Sequence, residues 1–412
     1  MAANHQDDIS ESRYDVVVVG GGMIGLSLAC AAARVGLDVA VIERVAFESL
    51  NSSSFDGRAS AIALGSQRML AAIGVWKYMV SSAQPILDIR VSDRESLLHL
   101  HFDHNELDGV AFGYMVENGK IRDALLEAAN QYSNLDIIAP HTVVAIERSV
   151  GNAAVTLDNR RVVKAPLIVA CDGRRSPLRA MVGIRAPGWT YPQNAIVCTI
   201  EHQFSHGGIA HEKFLSGGPF AVLPLLGKRA SLVWTEEANL AEELYALDDK
   251  NFDIEVNKRL GSFLGDAHTI GARYHYPLAM HHAEQYVDHR IALVGDAAHG
   301  VHPIAGQGLN MGLRDVAALT EVLVNNIRLG LDHGTMEVLQ HYERWRRIDN
   351  LSMVAVTDAL NRLFVAEGTM IKISRKVGLA AVNRLPPLKR FFMRHARGTG
   401  GSLPRLLDGE VP

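Results

Sequence analysis

The chain has 412 residues, of which 48% are hydrophobic and 21% are charged, as in an ordinary globular protein of two or so domains. Its formal net charge of −4 at pH 7 excludes the overall positive field that draws a protein to nucleic acid. The three cysteines (Cys30, Cys171 and Cys198) are far apart in the sequence and form no CxxC pair and no zinc-ligand spacing, which fits a reducing compartment.

The chain begins with a polar stretch that contains Asp7, Asp8 and Glu11. Because a secretory signal has the opposite character, we expect residues 1–13 to be a disordered tail on a cytoplasmic protein. No stretch of the sequence reaches the roughly 18 uninterrupted apolar residues of a membrane-spanning helix.

A β-branched run, a glycine-rich turn and an alanine-rich segment follow this tail. They predict a buried parallel strand over residues 14–19, a helix over residues 25–35 and a second strand over residues 37–42. This order and length are typical of a unit that binds a dinucleotide.

Three glycines and one acid in this unit have distinct predicted tasks. Gly20 permits the tight turn, Gly22 lets the backbone approach a diphosphate, and Gly25 lets the helix pack against the strand. The helix N-terminus then faces the phosphates. Glu43, at the end of the second strand, is placed to accept hydrogen bonds from a ribose, which favours NAD or FAD over NADP.

A second strand end lies at "PLIVACDGRRSPLR", which begins at Pro166. We predict a strand over residues 167–171 that delivers Asp172 into a glycine turn, with Ser176 and Pro177 starting a helix. Asp172 either faces a ligand or only caps the turn.

A third strand end, in "RIALVGDAAHGVHPIAGQGLNMGLRD", distinguishes FAD from NAD. A strand over residues 291–294 ends at Asp296, and a loop with Pro303, Gly306 and Gly308 leads into a helix that starts near Leu309 and Asn310. Such a helix start would stabilise the negative charge of a reduced isoalloxazine ring. NAD does not require a second, distant strand–loop–helix, so the pattern favours FAD.

The segment between about residues 187 and 276 alternates apolar and polar residues, which predicts an antiparallel sheet with one covered face. Phe214, Phe220 and Leu223 either form an apolar wall that contacts a substrate or belong to the hydrophobic core.

Three histidines (His99, His101 and His104) do not complete a metal site by spacing, so we predict no metal. His302 is expected to shape its loop rather than act as a base.

The C-terminal region is basic. Between residues 368 and 407 there are nine Lys or Arg and no Asp or Glu, with apolar residues interleaved. This pattern predicts either a solvated helical tail or a surface that touches anionic lipid or a partner protein.

The three motifs, in this order over residues 14–350, resemble the FAD-dependent aromatic hydroxylases of the para-hydroxybenzoate hydroxylase type. Three further stretches narrow the resemblance to the branch that hydroxylates polyprenylated phenols in ubiquinone biosynthesis: "DGRASAIALGSQRML", "GYMVENGKIRDAL" and "HEKFLSGGPFAVLPL".

The resemblance implies a set of residues that bind FAD non-covalently and tightly. They are Gly20, Gly22 and Gly25 at the ADP moiety, Glu43 at its ribose, Arg44 and Val143 at the adenine, Arg58 near the flavin or its linker, Arg122 at the diphosphate–ribityl region, Asp172 for both FAD and NAD(P)H, Asp296 at the ribityl chain, and Pro303, Gly306, Gly308, Leu309 and Asn310 around the ring. Phe214, Phe220, Leu223, His302 and Pro303 would line the substrate or flavin pocket. Arg58 or Arg122, taken alone, would equally suit a surface ion pair.

The implied fold is α/β, with a Rossmann-like FAD-binding domain, an inserted, mainly antiparallel β substrate domain and a helical C-terminus. The FAD-binding domain would take residues 14–90, 105–186 and 277–345, the substrate domain residues 91–104 and 187–276, and the C-terminal region residues 346–412. The implied reaction uses NAD(P)H as a transient reductant and O2 through a C4a-hydroperoxyflavin, with no catalytic side chain assigned.

Other functions stay open at this point. They are a non-catalytic flavin-binding scaffold in a biosynthetic complex and another FAD oxidoreductase of this fold, such as a prenyl reductase. A nicotinamide dehydrogenase is disfavoured by the Asp296 motif, and a halogenase by the absence of a WxWxIP stretch. The ring position, the choice between NADH and NADPH, homo-oligomerisation and contact with the inner membrane face are left open.

Overall fold

A computed structural model describes residues 11–47, 57–93, 99–300, 306–365 and 382–412. The strands are β1 Glu11–Arg13, β2 Val16–Val19, β3 Val39–Ile42, β4 Ala59–Ala63, β5 Gln84–Ile86, β6 Asp88–Asp93, β7 His99–Asp103, β8 Gly113–Glu117, β9 Leu135–Ile138, β10 Val143–Arg148, β11 Ala153–Leu157, β12 Val162–Ala165, β13 Leu167–Ala170, β14 Gly188–His202, β15 Ile209–Phe214, β16 Pro219–Leu225, β17 Arg229–Glu237, β18 Ala267–His282, β19 Val287–Asp288, β20 Ile291–Leu293 and β21 His299–Gly300. The helices are α1 Met23–Arg34, α2 Leu64–Ala72, α3 Asn118–Ala129, α4 Pro177–Met181, α5 Ala238–Ala246, α6 Asp249–Leu260, α7 Gln307–Ile327, α8 Met336–Val365, α9 Pro386–Ala396 and α10 Arg405–Asp408.

A six-stranded sheet in the order β19-β20-β13-β2-β3-β9 forms the first layer. Its pairs are parallel except for β19 with β20. The four valines of β2 are buried because a parallel sheet is covered on both faces. The predicted strand–turn–helix–strand unit is confirmed, with its helix starting at Met23, two residues earlier than expected.

An eight-stranded sheet in the order β21-β18-β14-β17-β16-β15-β6-β7 forms the second layer. Its pairs are antiparallel except for β15 with β6, so the predicted antiparallel sheet is confirmed. One face packs against α5 and α6 around Phe220, Trp234 and Phe252. We call the opposite face, which carries Ala210, Leu223 and Val91, the inner face.

Two smaller sheets complete the fold, in the orders β4-β8-β5 and β1-β12-β11-β10. In the second of these sheets, β1 pairs in parallel with residues 162–164, so residues 11–13 form a strand. The expectation of disorder is therefore wrong for residues 11–13, and residues 1–10 lie outside the described residues. The main-chain hydrogen bonds of an edge strand do not require an apolar sequence, so composition did not reveal this strand.

The C-terminal helices pack back on both layers. Helix α7 is buried along most of its length and contacts α1 and α8. Helix α9 docks through Met393 and through ion pairs of Lys389 with Glu106 (2.5 Å) and of Arg397 with Asp108 (2.6 Å). Among the described helices, none is long and apolar enough to span a membrane.

Candidate active site

Four neighbouring parallel strands end at one edge of the six-stranded sheet. The strands β20, β13, β2 and β3 lie side by side and lead into Asp296, Asp172, Gly20 and Glu43 respectively. The carboxyl edge of an open parallel sheet is where such folds bind their ligands. The structure therefore brings together four of the residues that the sequence singled out separately.

The glycine turn after β2 is built from two tight contacts and one open position. A Cβ atom at Gly20, where φ is +106°, would lie 2.4 Å from the carbonyl oxygen of Cys171, and one at Gly25 would lie 1.8 Å from that of Gly20. A Cβ atom at Gly22 would meet nothing within 4 Å, and Gly22 is exposed. The protein's own packing thus requires Gly20 and Gly25, whereas Gly22 keeps the outer surface of the turn accessible.

Glu43 holds this turn through both carboxylate oxygens. Its Oε2 accepts a hydrogen bond from the N–H of Gly21 at 2.7 Å, and its Oε1 accepts one from the N–H of Val45 at 3.0 Å. Each oxygen keeps a further lone pair, so the half-buried carboxylate can also accept from a ribose. Arg44, the next residue, is exposed.

Asp172 caps the start of α4 with one carboxylate oxygen and keeps the other oxygen without a partner among the described residues. Its Oδ2 accepts a hydrogen bond from the N–H of Leu178 at 3.0 Å at the start of α4. Its Oδ1 is buried and has no hydrogen-bond partner among the described residues. Burial raises the pKa of this carboxyl, against the lowering effect of its hydrogen bonds to Ser176 and to main-chain N–H groups. A ligand hydroxyl at Oδ1 would satisfy the orphaned oxygen.

The turn after β20 is held from behind by Asp315 of α7. Asp315 is fully buried, and its Oδ2 accepts from the N–H of Gly295 at 3.0 Å and lies 2.6 Å from Nε2 of His299. Its Oδ1 accepts from Arg346 at 2.8 Å. Burial acts to raise the pKa of Asp315, but the neighbouring His299 and Arg346 outweigh it and hold the pKa well below its usual range. Asp296 itself is exposed, with its carboxylate free of this network.

The N-terminus of α7 lies beside β4. Gly306 starts the helix with φ +62° and no side-chain cap, and the first N–H groups of any α-helix make no hydrogen bond within the helix itself. The side chain of Asn310 accepts from the N–H of Ala63 at 2.8 Å and donates to the carbonyl of Ala61 at 2.9 Å. Asn310 therefore fixes the helix start against β4, and the helix dipole adds a positive field there.

Val143 lies on a segment that adjoins this edge, whereas Arg58 and Arg122 lie on two segments that contact each other. The guanidinium of Arg58 lies 4.9 Å from the ring centre of Tyr274 and 3.5 Å from the hydroxyl of Tyr276. Arg122 is half-buried on α3, and the N–H at the start of that helix donates to the carbonyl of Arg58 at 2.9 Å. Val143 is buried at the start of β10, two residues after the N–H that donates to the carbonyl of Glu43.

The predicted pocket residues divide between the two faces of the eight-stranded sheet. Phe220 is fully buried 5.7 Å from the Trp234 ring on the face that α5 and α6 cover, so its placement in a pocket is wrong. Leu223 lies on the inner face. Phe214 of β15 lies opposite Pro219 of β16. His302 and Pro303 lie outside the described residues.

Sequence reasoning missed three features of the site. Asp315 gave no signal because a single acid within a helix has no diagnostic spacing. Tyr274 and Tyr276, whose rings lie parallel and 6.2 Å apart, read as ordinary strand residues. Glu212 lies within "HEKF", where strict alternation could have revealed a carboxylate turned toward the same face as Phe214.

The described residues also hold one group with metal-ligand atoms close together, Asp88, Asp103 and His104. Its members already contact one another, with His104 Nδ1 at 3.4 Å from Asp88 and 3.3 Å from Asp103. This group lies on β6, β7 and the turn after them, at the far edge of the eight-stranded sheet from β21.

The residues at the sheet edge fit a flavin dinucleotide. The open position at Gly22, the orphaned Oδ1 of Asp172 and the uncapped start of α7 are three separate features that a diphosphate, a hydroxyl and an electron-rich ring edge would satisfy.

Comparison with known proteins gives concordant results. A family model described as an FAD binding domain matches residues 13–357. The chain is 48% identical over 398 residues to the ubiquinone hydroxylase UbiL of Rhodospirillum rubrum, covering 96% of this chain and 92% of that protein. It is 34% identical to the 3-demethoxyubiquinol 3-hydroxylase of Escherichia coli, covering 93% of this chain and 98% of that protein.

A solved structure shares the fold. The p-nitrophenol 4-monooxygenase PnpA of Pseudomonas putida superposes with a TM-score of 0.78 at 20% identity, covering 96% of this chain and all of PnpA.

Proposed function

The chain belongs to the FAD-dependent ubiquinone-biosynthesis hydroxylases, and on that premise we propose that it hydroxylates the ring of a polyprenylated phenol with O2 and NAD(P)H. The observation that carries the proposal is that the start of α7, where the flavin ring is expected, lies beside the apolar inner face of the eight-stranded sheet. The start of α7 lies close to Ala61, since a Cβ atom at Gly306 would lie 3.4 Å from that of Ala61. Ala61 in turn packs against the apolar cluster of the inner face.

Residues of the sheet edge would hold FAD along its length. The turn at Gly22 and the N-terminus of α1 would receive the diphosphate, Glu43 and Asp172 would accept from hydroxyl groups, and Asp296 would accept from the ribityl chain. The chemistry that FAD supplies when bound is transfer of two electrons from a nicotinamide to O2 and delivery of one oxygen atom to the ring.

The protein's own contribution to this reaction is position and charge. The start of α7 would stabilise negative charge at the pyrimidine edge of the ring system. Asn310 keeps that helix start against β4 by two hydrogen bonds. The inner face would exclude water from the reacting atoms, which protects an electrophilic oxygen donor from wasteful breakdown.

The nicotinamide would bind only transiently. Within the described ranges the glycine turn after β2 is followed by a helix and a second parallel strand, and FAD would occupy that unit. The nicotinamide would therefore use the residues near Asp172 without a nucleotide-binding unit of its own.

Helix α9 would touch the membrane that stores the polyprenylated substrate. Phe391 is 53% exposed and Phe392 39% exposed, and Arg390 and Arg394 beside them are also exposed. Exposed aromatic rings flanked only by cations suit an anionic bilayer surface. Binding there would place the protein beside its substrate.

Turnover with defined substrates tests the proposed function. The purified protein, loaded with FAD, is mixed under air with NADH or NADPH, with and without a 2-polyprenylphenol. We expect nicotinamide consumption to rise when the phenol is added, together with a product heavier by one oxygen atom. A yellow protein with no phenol-dependent consumption would instead favour a non-catalytic flavin-binding scaffold.

A further inference from the structure

Glu212 is a buried carboxylate on the inner face of the eight-stranded sheet. It lies on β15 between Ala210 and Phe214, the residues that share its face by strand alternation. In the register of the sheet it lies opposite Ala221 on β16 and beside Val91 on β6. Its neighbours across both strands are therefore small or apolar.

The side chain of Glu212 has no hydrogen-bond or ion-pair partner among the residues that the structure describes. Its exposed fraction is 9%, and burial is the only influence that shifts its pKa, as expected for a carboxylate without such a partner. A buried carboxylate without a partner is costly, so proteins keep one only rarely. Its position between the apolar neighbours Ala221 and Val91 suits a ligand that the carboxylate recognises.

Charged neighbours do not account for this carboxylate. Lys213 points to the opposite face, where its Nζ donates to the main-chain carbonyls of Arg259 and Leu260 at 3.0 Å. His211 shares that opposite face by alternation. Asp93 lies on the inner face two residues further along, beside Phe214, and its carboxyl group cannot form an ion pair with Glu212. Burial alone raises the pKa of Glu212 to about 7.

The wall that contains Glu212 is continuous with the flavin side of the molecule. Val91, Ala210 and Leu223 belong to the same apolar cluster as Ala61 of β4. A Cβ atom at Gly306, at the start of α7, would lie 3.4 Å from that of Ala61. An aromatic ring held on the wall near Glu212 would thus be on the side of the sheet where the ring system of FAD is expected.

We propose that Glu212 is a substrate-binding residue that accepts the hydrogen bond of the substrate's phenolic hydroxyl and takes its proton as the ring is hydroxylated. This inference rests on the proposed function. The phenolic O–H bond breaks, the proton goes to a carboxylate oxygen of Glu212, and the released electron pair enters the ring. The ring carbon ortho or para to the phenolic oxygen bonds to one oxygen atom from O2 while the O–O bond breaks, with the two electrons supplied by the nicotinamide through FAD. The second oxygen takes up the proton that the ring carbon loses as aromaticity is restored, and it leaves as water. Glu212 returns its proton to the phenolic oxygen before the product leaves.

The sign of the pH dependence follows from this role. Only the ionised carboxylate can accept the proton, and it forms as the pH rises through about 7. A free phenol stays protonated until a pH near 10. Phenol binding should therefore tighten between about pH 6 and pH 8, before the phenol itself ionises.

Equilibrium binding of a short-chain 2-prenylphenol to the FAD-loaded protein, without reductant, tests the proposal. Wild-type protein should bind the phenol more tightly as the pH rises from 6 to 8. Glu212→Gln should weaken binding at pH 8 about tenfold, the cost of a lost charge-assisted hydrogen bond, and abolish the pH dependence. The methyl ether of the same phenol should bind both proteins equally.

Glu236→Gln is the matched control, because Glu236 is also buried but accepts from Nε1 of Trp234 at 3.4 Å on the helix-covered face. It should leave phenol binding and its pH profile unchanged. If Glu212→Gln binds the phenol like wild type and keeps the pH profile, the role of Glu212 is wrong while phenol hydroxylation stands. If wild-type protein binds no phenol and does not hydroxylate it, both proposals are overturned.

Discussion

The carboxylate of Asp315 accepts a hydrogen bond from the main-chain N–H of Gly295 at 3.0 Å. This bond joins the interior of α7 to the turn in which β20 ends, so one side chain fixes the two elements that would flank the flavin. Asp315 is fully buried, and Arg346 and His299 surround it. The position of the turn thus depends on a buried charge that is fully hydrogen-bonded.

Asp315→Asn should destabilise the protein, since it removes the buried charge that pairs with both Arg346 and His299 and leaves Arg346 with Asp349 and Asn350 only. We expect a loss of roughly 3 kcal/mol in the free energy of unfolding, with faster release of FAD. Because the pKa of Asp315 is lowered in the folded state, its stabilisation is present above the unfolded pKa near 4 and is lost as the pH falls below it. Thermal unfolding at pH 7 and at acid pH measures both effects.

Asp123→Asn is the control for Asp315, because Asp123 is exposed on α3. It should change the stability by less than about 0.5 kcal/mol. Equal stability of the Asp315 and Asp123 variants would contradict the role assigned to the buried network.

The glycine turn predicts opposite outcomes for two alanine substitutions. Gly25→Ala should prevent folding, because its Cβ would lie 1.8 Å from the carbonyl oxygen of Gly20. Gly22→Ala should fold with near-native stability, since its Cβ meets nothing within 4 Å, yet weaken FAD binding at least about tenfold by blocking the approach of the diphosphate. Fluorescence titration of the apoprotein with FAD separates the two effects.

Gly151→Ala supplies the comparison, since it lies in an exposed turn where a Cβ also meets nothing within 4 Å. It should bind FAD like wild type. Unchanged FAD affinity in Gly22→Ala would mean that the diphosphate does not lie over this turn.

Burial of Glu212 predicts an unusual gain of stability. Its pKa is raised by burial from 4.5 to about 7, so the folded protein binds more protons than the unfolded chain between these values and becomes less stable as the pH rises through them. Glu212→Gln should therefore be more stable than wild type at pH 8, by on the order of 2–3 kcal/mol, and close to it at pH 4.5. Denaturant titrations at the two pH values provide the measurement, and an equal difference at both would exclude the buried charge as its cause.

Helix α9 predicts binding to anionic vesicles. Wild-type protein should sediment with vesicles that contain phosphatidylglycerol, less so at high salt, and weakly with phosphatidylcholine alone. Phe391→Ser combined with Phe392→Ser should reduce binding about tenfold or more, whereas Phe204→Ser, at a residue 51% exposed elsewhere, should not. Recovery of a stable protein complex without vesicle binding would assign α9 to a partner protein instead.

Sequence patterns predicted the family, the α/β fold and FAD correctly, because each depends on local order along the chain. Gly20, Glu43 and Asp172 could be read as strand ends, and parallel strands place their ends together. The pattern failed at Phe220, since alternation tells which residues share a face but not which face the helices cover. It also failed at Asp315, whose partners Gly295, His299 and Arg346 meet only through the packing of α7 between β20 and α8. The individual FAD contacts and the domain limits stay predictions.

Hydroxylation under ¹⁸O2 tests the central claim most directly. FAD-loaded protein, reduced nicotinamide and a 2-polyprenylphenol are incubated under labelled oxygen, and the product is analysed by mass spectrometry. We predict a hydroxylated phenol that carries one ¹⁸O atom on its ring and that is not formed without the protein or the nicotinamide. Nicotinamide oxidation that yields only hydrogen peroxide, with the phenol recovered unchanged, would contradict the account.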